Sequence, residues 1–180
     1  MKNLMILLMV GFSATYIHAQ TFTLKSKDLG GQMTNEQVFN GFGCTGENIS
    51  PQLSWKNAPK GTKSFAITIY DPDAPTGSGW WHWVVFNIPA DIHQFKRGAS
   101  NTLNGLLPDG CIQSITDFGT VGYGGPCPPE GDQAHRYIIT VYALNTDHLD
   151  LDANASPALV GYYLNSTAIA KASIISYFQR

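Results

Sequence analysis

Three segments of the chain carry the hydrophobic patterns of buried β-strands. Residues 64–70 alternate large apolar residues with smaller or polar ones, which predicts a strand. Residues 83–88 are apolar on both sides, as in a central strand that is covered on both faces. Residues 135–144 are rich in β-branched and aromatic residues and predict a third central strand. Residues 22–26 give a weaker strand prediction.

One segment near the C-terminal end predicts a helix. Ser156 is suited to be its N-cap, and Pro157 fits the first helical position. The helix is predicted to run to about Ala170, and residues 171–178 fit either a continued helix or a closing strand. The predicted buried face of the helix consists of Leu159, Tyr162, Tyr163 and Ser166. The whole pattern predicts a mainly β fold with long ordered loops and one or two short helices.

The length of 180 residues suits one domain with a proper core. Residues 1–19 have a basic start, a short apolar run and a small residue before a suitable cleavage point, which is the layout of a secretory signal peptide. The apolar run is too short to span a bilayer. We therefore expect a signal peptide at 1–19 and a single exported domain at 20–180, without an integral membrane segment after cleavage. A buried N-terminal helix or an uncleaved anchor is the alternative.

Charge excludes some classes of partner. The formal net charge is −2, and the 11 basic residues are scattered along the chain. Proteins that bind nucleic acid or an anionic membrane surface usually cluster their lysines and arginines. We therefore expect neither partner.

The three cysteines bear on the compartment and on the loops. Cys44 and Cys127 both lie in glycine-rich loops, and we favour a disulfide between them with Cys111 free. A disulfide from Cys111 to either of the others remains an alternative. A zinc site is not expected, because no two cysteines have CxxC spacing.

A stiff loop after the first strong strand presents two carboxylates. Asp71 and Asp73 are separated by Pro72 and followed by Pro75, and the prolines restrict the loop. Such a loop can hold side chains in fixed positions, as a binding pocket requires. The alternative is that both aspartates only cap turns.

A histidine begins the next strand. His82 lies between Trp81 and Trp83, and strict alternation places it on the face opposite both. A partly buried histidine needs partners for both ring nitrogens, and a carboxylate of the preceding loop is the obvious one. An ordinary core histidine is the alternative.

The third strand brings a second set of polar side chains. His135 and Tyr137 share one face, and Arg136 points to the other. The preceding glycine-proline loop, residues 119–131, does not match a nucleotide-binding motif. Its Gly124 and Gly125 can still offer backbone N–H groups to an anion.

Three of these stretches together resemble the phosphatidylethanolamine-binding protein family, also called Raf-kinase-inhibitor-like proteins, and its bacterial branch most of all. They are "DPDAPTGSGWWHW" at 71–83, "GYGGPCPPEG" at 122–131 and "HRY" at 135–137. The stretch "FGCTGENISPQLSW" at 42–55 is similar to that branch as well. The resemblance covers residues 22–178.

The resemblance implies a β-sandwich with Greek-key character and a small anion pocket at one end. By position, its walls would be Asp71, Asp73, Pro75, Trp80, His82, Gly125, Pro128, His135 and Tyr137. Members of the family hold phosphate, acetate or phospholipid head groups such as phosphoethanolamine there. It also implies that residues 171–178 form a strand, and that the protein is periplasmic or secreted in a bacterium.

Simple electrostatics suggests how such a pocket would attract an anion. We expect the aspartates to raise the pKa values of His82 and His135, so that both rings carry a positive charge. Tyr137 and the Gly124–Gly125 backbone would add uncharged donors. Trp80 and Pro75 would form an apolar collar that excludes water.

These features favour an exported ligand-binding or regulatory protein without a cofactor. The chain has no GxSxG motif and no signature of a reactive thiolate. A hydrolase or transferase that uses the Asp–His set as acid and base is an alternative. Two others are a metal site formed by Asp71, His82 and His135 and an interaction protein that acts through its surface. The protein partner is unknown, and a monomer and a homodimer are both compatible with the sequence.

Overall fold

The computed structural model describes residues 20–180. Its strands are β1 (Thr23–Lys25), β2 (Asn40–Gly41), β3 (Cys44–Thr45), β4 (Leu53–Lys56), β5 (Ser64–Asp71), β6 (Trp80–Pro89), β7 (Gln94–Phe95), β8 (Ile112–Gln113), β9 (His135–Leu144) and β10 (Ala168–Phe178). The helix α1 spans Pro157–Thr167, and a 3₁₀ turn spans Thr102–Asn104. The predicted signal peptide at 1–19 lies outside the described residues. Between residues 20 and 180, no helix has the length and hydropathy to cross a membrane.

The predicted strands are all present. The segments at 64–70, 83–88 and 135–144 form β5, β6 and β9, and the segment at 22–26 contains β1. Antiparallel pairing gives a five-stranded sheet in the order β10-β9-β5-β6-β8 and a three-stranded sheet in the order β1-β4-β7. The hairpin β2-β3 forms a separate pair.

The five-stranded sheet is covered on both faces, as the apolar pattern of β6 predicts. On one face, Trp55 and Phe95 of the three-stranded sheet pack against Phe65 and Trp83. On the other face, α1 covers a second apolar cluster that includes Phe86. Each large side chain buried in this way contributes roughly 1.5–3 kcal/mol. The two clusters fix the sheet whose end forms the candidate site.

The helix is confirmed, but its predicted buried face is wrong. Ser156 caps α1 through a hydrogen bond from the backbone N–H of Leu159. The buried residues are Pro157, Val160 and Leu164, whereas Leu159, Tyr162 and Tyr163 are exposed. Val160 and Leu164 are four residues apart and so form one stripe, which is all that the narrow contact with the sheet requires. The helix ends at Thr167, and the closing-strand interpretation of 171–178 is confirmed by β10.

A β-bulge changes the orientation of His82. Ile69 pairs with Trp83 and Tyr70 pairs with Trp81, so His82 has no partner across the ladder. His82 therefore lies on the same face as Trp83 and packs against Tyr137, while Trp81 joins the cluster under α1. The prediction that His82 faces away from both tryptophans is wrong for Trp83, because the bulge breaks the strict alternation.

Candidate functional site

A cavity of about 180 Å³ lies at the end of the five-stranded sheet. Because β5 runs antiparallel to β6 and β9, its end lies beside the beginning of both neighbours, where Asp71 pairs with Trp80 and Tyr70 pairs with Ile138. The local topology therefore brings three distant stretches of sequence together. The cavity is lined by Phe42, Asp71, Ala74, Pro75, Thr76, Trp80, His82, Phe118, Cys127, Pro128, Pro129, His135 and Tyr137.

Asp71 and His135 form a buried pair at the base of this site. Asp71 Oδ2 lies 2.8 Å from His135 Nδ1, and the two side chains are 4% and 5% exposed. Asp71 Oδ1 accepts the backbone N–H groups of Asp73 and Ala74. Asp71 therefore caps its turn and orients the imidazole at once, so its charge is compensated by protein donors. The other ring nitrogen, His135 Nε2, lies 3.5 Å from Asp132 Oδ2.

His82 has one satisfied and one unpartnered ring nitrogen. His82 Nδ1 lies 2.7 Å from the carbonyl oxygen of Gly124, and a carbonyl only accepts, so Nδ1 carries the hydrogen. His82 Nε2 is buried and has no hydrogen-bond partner among residues 20–180. Burial lowers the pKa of His82 to about 4, although the backbone of Gly124 and the carboxylate of Asp71 act in the opposite direction. The expectation that carboxylates keep this ring charged is therefore wrong, because desolvation is the stronger effect.

Tyr137 places a second unpartnered polar atom beside His82. The rings of His82 and Tyr137 meet edge to face with their centroids 5.1 Å apart. The Tyr137 hydroxyl is buried and has no hydrogen-bond partner within the described part of the chain. Burial raises the pKa of Tyr137, so the phenol keeps its proton and remains a donor. A buried polar group without a partner costs about 1–3 kcal/mol, so two of them on one cavity wall call for an explanation.

Aromatic and proline side chains form the rest of the wall. Phe118 packs edge to face against both Trp80 and His82. Phe42 stacks on Phe118 and is 67% exposed. Its backbone has φ 54°, a left-handed conformation that is rare for a bulky residue. The sequence reasoning missed Phe42 and Phe118, although Phe42 stands between two glycines in "GFG", an unusual setting for a large apolar residue.

Asp73 does not line the cavity. Its carboxylate takes three hydrogen bonds from Arg136, one from the backbone N–H and two from the guanidinium. These hydrogen bonds lower the pKa of Asp73 to about 2. The predicted wall position is therefore corrected: Asp73 lies outside the cavity, because its carboxylate pairs with the partly exposed Arg136.

Gly124 and Gly125 do not line the cavity either. Gly124 N–H donates to the carbonyl of His82, and Gly125 N–H donates to Asn48 Oδ1 at 2.7 Å. The predicted anion nest is thus absent, because both donors are used within the protein. A side chain at Gly125 would collide with the backbone of Gln37, at 1.9 Å from its carbonyl oxygen, so this close approach requires glycine.

A disulfide forms part of the cavity wall. Cys44 and Cys127 are joined, which is the favoured pairing, and Cys127 itself lines the cavity. The bond ties the loop that carries Phe42 to the loop that carries Pro128. Cys111 is free and half-buried, and burial raises the pKa of its thiol to about 12.

Of the ten predicted ligand-binding residues, the cavity brings together seven. These are Asp71, Pro75, Trp80, His82, Pro128, His135 and Tyr137. The alternative of a metal site finds no support in residues 20–180, where no group of three His, Cys, Asp or Glu residues is arranged to hold a metal ion.

Comparisons with known proteins agree on one family. The sequence model of the phosphatidylethanolamine-binding proteins matches residues 26–179. UPF0098 protein YbcL of Escherichia coli K12 is 47% identical over 181 aligned positions, which cover 99% of this chain and 99% of YbcL. UPF0098 protein YbhB of the same organism is 51% identical over 157 positions, 86% of this chain and 98% of YbhB.

Solved structures agree on the fold. The crystal structure of Escherichia coli YbcL, described as a new member of the mammalian PEBP family, gives a TM-score of 0.86 at 50% identity. That match covers 88% of this chain and 98% of the other. The PEBP homologue CT736 from Chlamydia trachomatis gives a TM-score of 0.72 at 26% identity, over 88% of this chain and 97% of the other. The predicted fold class is confirmed.

Proposed function

The chain belongs to the phosphatidylethanolamine-binding protein family, and on this premise we propose that its cavity binds a small oxyanion. The ligand would be phosphate, acetate or the phosphate of a lipid head group such as phosphoethanolamine. The protein would act as an exported ligand-binding or regulatory protein.

The observation that carries this proposal is the pair of unpartnered polar atoms on the wall. His82 Nε2 and the Tyr137 hydroxyl are both buried, and both residues line the cavity. Six buried side-chain polar atoms lack a partner among residues 20–180, and these two are the ones whose residues line the cavity, where a ligand or water can complete them. The two rings lie 5.1 Å apart between centroids, and the proposed ligand is therefore a compact group with several oxygen atoms that contacts both.

The surroundings of these atoms suit an anion. Asp71 directs its charge to His135 and to two backbone N–H groups, which limits its repulsion of a negative ligand. Trp80 and Phe118 exclude water from the wall, and each polar contact is stronger in such a low-dielectric setting.

The size of the cavity limits the ligand. A volume of about 180 Å³ lies below the 300–1,000 Å³ that is typical for drug-sized ligands. A head group fits this space, whereas lipid tails would have to remain outside. The exposed Phe42 and the prolines of the cavity wall offer apolar surface to whatever part of the ligand extends out of the cavity.

The disulfide supports the proposed location. Disulfides persist in oxidising compartments, and Cys44–Cys127 indicates such a compartment for this chain. Together with the predicted signal peptide at 1–19, this favours the periplasm or secretion.

Calorimetric titration tests the proposal. Inorganic phosphate and phosphoethanolamine are titrated into the protein, and we expect saturable binding at one site. The variant His135→Asn removes an imidazole ring that lines the cavity while its amide can still donate to Asp71, and we expect it to bind at least about tenfold more weakly. The matched control is His148→Asn, because the His148 side chain is 57% exposed and lies beyond the far end of β9. An absence of binding by the unmodified protein would rule the proposal out.

An acid–base hydrolase is the second candidate, and the Asp71–His135 pair favours it. A carboxylate that orients an imidazole next to a cavity is a common arrangement for general-base catalysis. Turnover of phosphomonoesters that disappears in His135→Asn would support this function. Binding without turnover, lost in the same variant, would support the oxyanion-binding protein.

A further inference from the structure

We propose that the cavity selects oxyanions that carry a hydrogen atom, so that it accepts a phosphomonoester or hydrogen phosphate and rejects sulfate esters and phosphodiesters. This inference rests on the proposed function and narrows its ligands to those that carry a hydrogen atom, which leaves out acetate and the phosphodiester of an intact lipid. The geometry that points to it is the tautomer of His82.

The hydrogen bond from His82 Nδ1 to the carbonyl of Gly124 fixes the tautomer of His82. The hydrogen on Nδ1 is held by the carbonyl of Gly124 at 2.7 Å, and the N–H of Gly124 binds the carbonyl of His82 in return. In the neutral ring, Nε2 then has a lone pair and no hydrogen. The wall therefore offers one acceptor at His82 and one donor at Tyr137.

The charged groups around His82 do not reverse this state. Asp71 and Asp117 favour the protonated ring, as does the backbone of Gly124 and Gly125, but burial outweighs them. On the cavity side, His82 meets the rings of Tyr137 and Phe118, and neither is a cation. Burial therefore favours the neutral ring as the form that a ligand encounters.

A ligand satisfies both atoms only if it both donates and accepts. A phosphomonoester monoanion has one P–OH group, which can donate to His82 Nε2, and its other oxygens can accept from the Tyr137 hydroxyl. A sulfate ester or a phosphodiester has acceptor oxygens alone. Its oxygen would face the acceptor Nε2 with no hydrogen between the two atoms, and the contact would be repulsive. A site built to pair with a donor rejects a ligand that lacks it, because the buried atom is then left unpaired.

Methyl phosphate and methyl sulfate form a matched pair of probes. At pH 5 both are monoanions of nearly the same shape, because the second pKa of a phosphomonoester is about 6. They differ mainly in the proton. We expect methyl phosphate to bind about 10- to 100-fold more tightly than methyl sulfate by calorimetry at pH 5. Dimethyl phosphate, a monoanionic diester like that of an intact lipid, should bind as weakly as methyl sulfate, which separates a free phosphate ligand from a lipid head group.

The outcomes separate this inference from the function on which it rests. If methyl phosphate and methyl sulfate bind equally well, the oxyanion site stands and the selection is refuted, because His82 then takes up a proton on binding. If none of the three probes and no inorganic phosphate binds, the proposed function itself is refuted. Tighter binding of methyl sulfate would also overturn the inference.

A variant locates the selection at His82. In His82→Asn, the amide nitrogen can keep the hydrogen bond to Gly124 while the acceptor at Nε2 is lost. We expect the preference for methyl phosphate over methyl sulfate to shrink to about threefold or less.

Nitrogen NMR of the unmodified protein is an independent test. The inference requires that His82 in the methyl phosphate complex is a neutral ring with its hydrogen on Nδ1. An unchanged preference in a folded His82→Asn protein, or a doubly protonated ring in the complex, would contradict the inference.

Discussion

Two pairs of an aspartate and a basic residue lie side by side at the end of the sheet, and they differ in burial and in their position relative to the cavity. The inner pair, Asp71 and His135, is 4% and 5% exposed and belongs to the cavity wall. The outer pair, Asp73 and Arg136, is 29% and 49% exposed and lies outside the cavity. The two aspartates are two positions apart in one loop, and the two basic residues are adjacent at the start of β9.

The difference shows what burial does to the same chemistry. In the outer pair, the guanidinium of Arg136 donates two hydrogen bonds to the carboxylate of Asp73. These bonds connect the loop after β5 to the start of β9. The inner pair is shielded from water, so each of its hydrogen-bond donors and acceptors needs a partner in the protein or in a ligand. Asp71 meets that demand within the protein, whereas its neighbours His82 and Tyr137 do not. We infer that the inner pair and its neighbours His82 and Tyr137 serve ligand binding, and that the outer pair stabilises the loop after β5.

Removing the charge of the inner pair should have the largest effect. In Asp71→Asn, His135 and two backbone N–H groups lose a buried anion that accepts from all three. We expect the free energy of unfolding at pH 7 to fall by about 3–5 kcal/mol. Urea denaturation measures it, and a loss below about 1 kcal/mol would mean that the inner pair is no more important than a surface contact.

The pH dependence of stability should reveal the buried neutral ring of His82. Its folded pKa of about 4 lies below the unfolded value near 6.5. Between these values the unfolded chain binds a proton that the folded protein does not, so stability falls as the pH is lowered from about 6.5 to about 4. We expect this contribution to be on the order of 3 kcal/mol and to be missing in His82→Asn.

Denaturation curves of the unmodified protein and His82→Asn at several pH values give the difference. The control is His148→Asn, which replaces a histidine whose side chain is 57% exposed and does not line the cavity. A slope that is the same in all three proteins would show that His82 is protonated in the folded state at acidic pH.

Two buried tyrosines give a matched test of the unpartnered wall. The Tyr123 hydroxyl donates to the carbonyl of Gln37 at 3.0 Å, whereas the Tyr137 hydroxyl has no partner among residues 20–180. We expect Tyr123→Phe to lower the free energy of unfolding by about 1 kcal/mol, and Tyr137→Phe to leave it unchanged or raise it.

The affinity for phosphate should respond in the opposite way. Tyr137→Phe removes a donor from the cavity and should weaken phosphate binding about tenfold, whereas Tyr123→Phe should not change it. Thermal denaturation and calorimetry of both variants are needed. A destabilised Tyr137→Phe with unchanged affinity would indicate a structural role for this hydroxyl.

Much of this arrangement follows from local patterns in the sequence. Period-two alternation predicts β5, and enrichment in β-branched and aromatic residues predicts β9. Alternation along β9 correctly places Arg136 opposite His135 and Tyr137. The N-cap and the following proline predict the start of α1 to the residue. That the three stretches meet in one pocket was predicted from the resemblance to a family, because no local sequence pattern indicates which distant residues come together.

The remaining features depend on contacts between distant residues. The bulge that turns His82 toward Tyr137 arises from the register of β5 against β6. The local sequence Trp81-His82-Trp83 does not predict it. Gly125 N–H is taken by Asn48, which lies 77 residues earlier in the chain. The sign of the His82 pKa shift was predicted wrongly for the same reason, since burial is a property of the fold and the nearby carboxylates are visible in the sequence. Neighbouring charges read from a sequence therefore predict the direction of a pKa shift only where desolvation is the weaker effect.

The outer pair should give the smallest effect and a different pH signature. The guanidinium of Arg136 holds the pKa of Asp73 at about 2, below its unfolded value near 3.9. A lowered pKa stabilises the folded protein above about pH 4, and this stabilisation is lost as the pH falls toward 2. In Asp73→Asn we expect a loss at pH 7 several times smaller than in Asp71→Asn, because water screens a largely exposed pair. The stability of Asp73→Asn should approach that of the unmodified protein between about pH 4 and 2, while its affinity for phosphate stays the same. A loss equal to that of Asp71→Asn, or weaker phosphate binding, would show that the outer pair also shapes the cavity and would remove the distinction between support and binding.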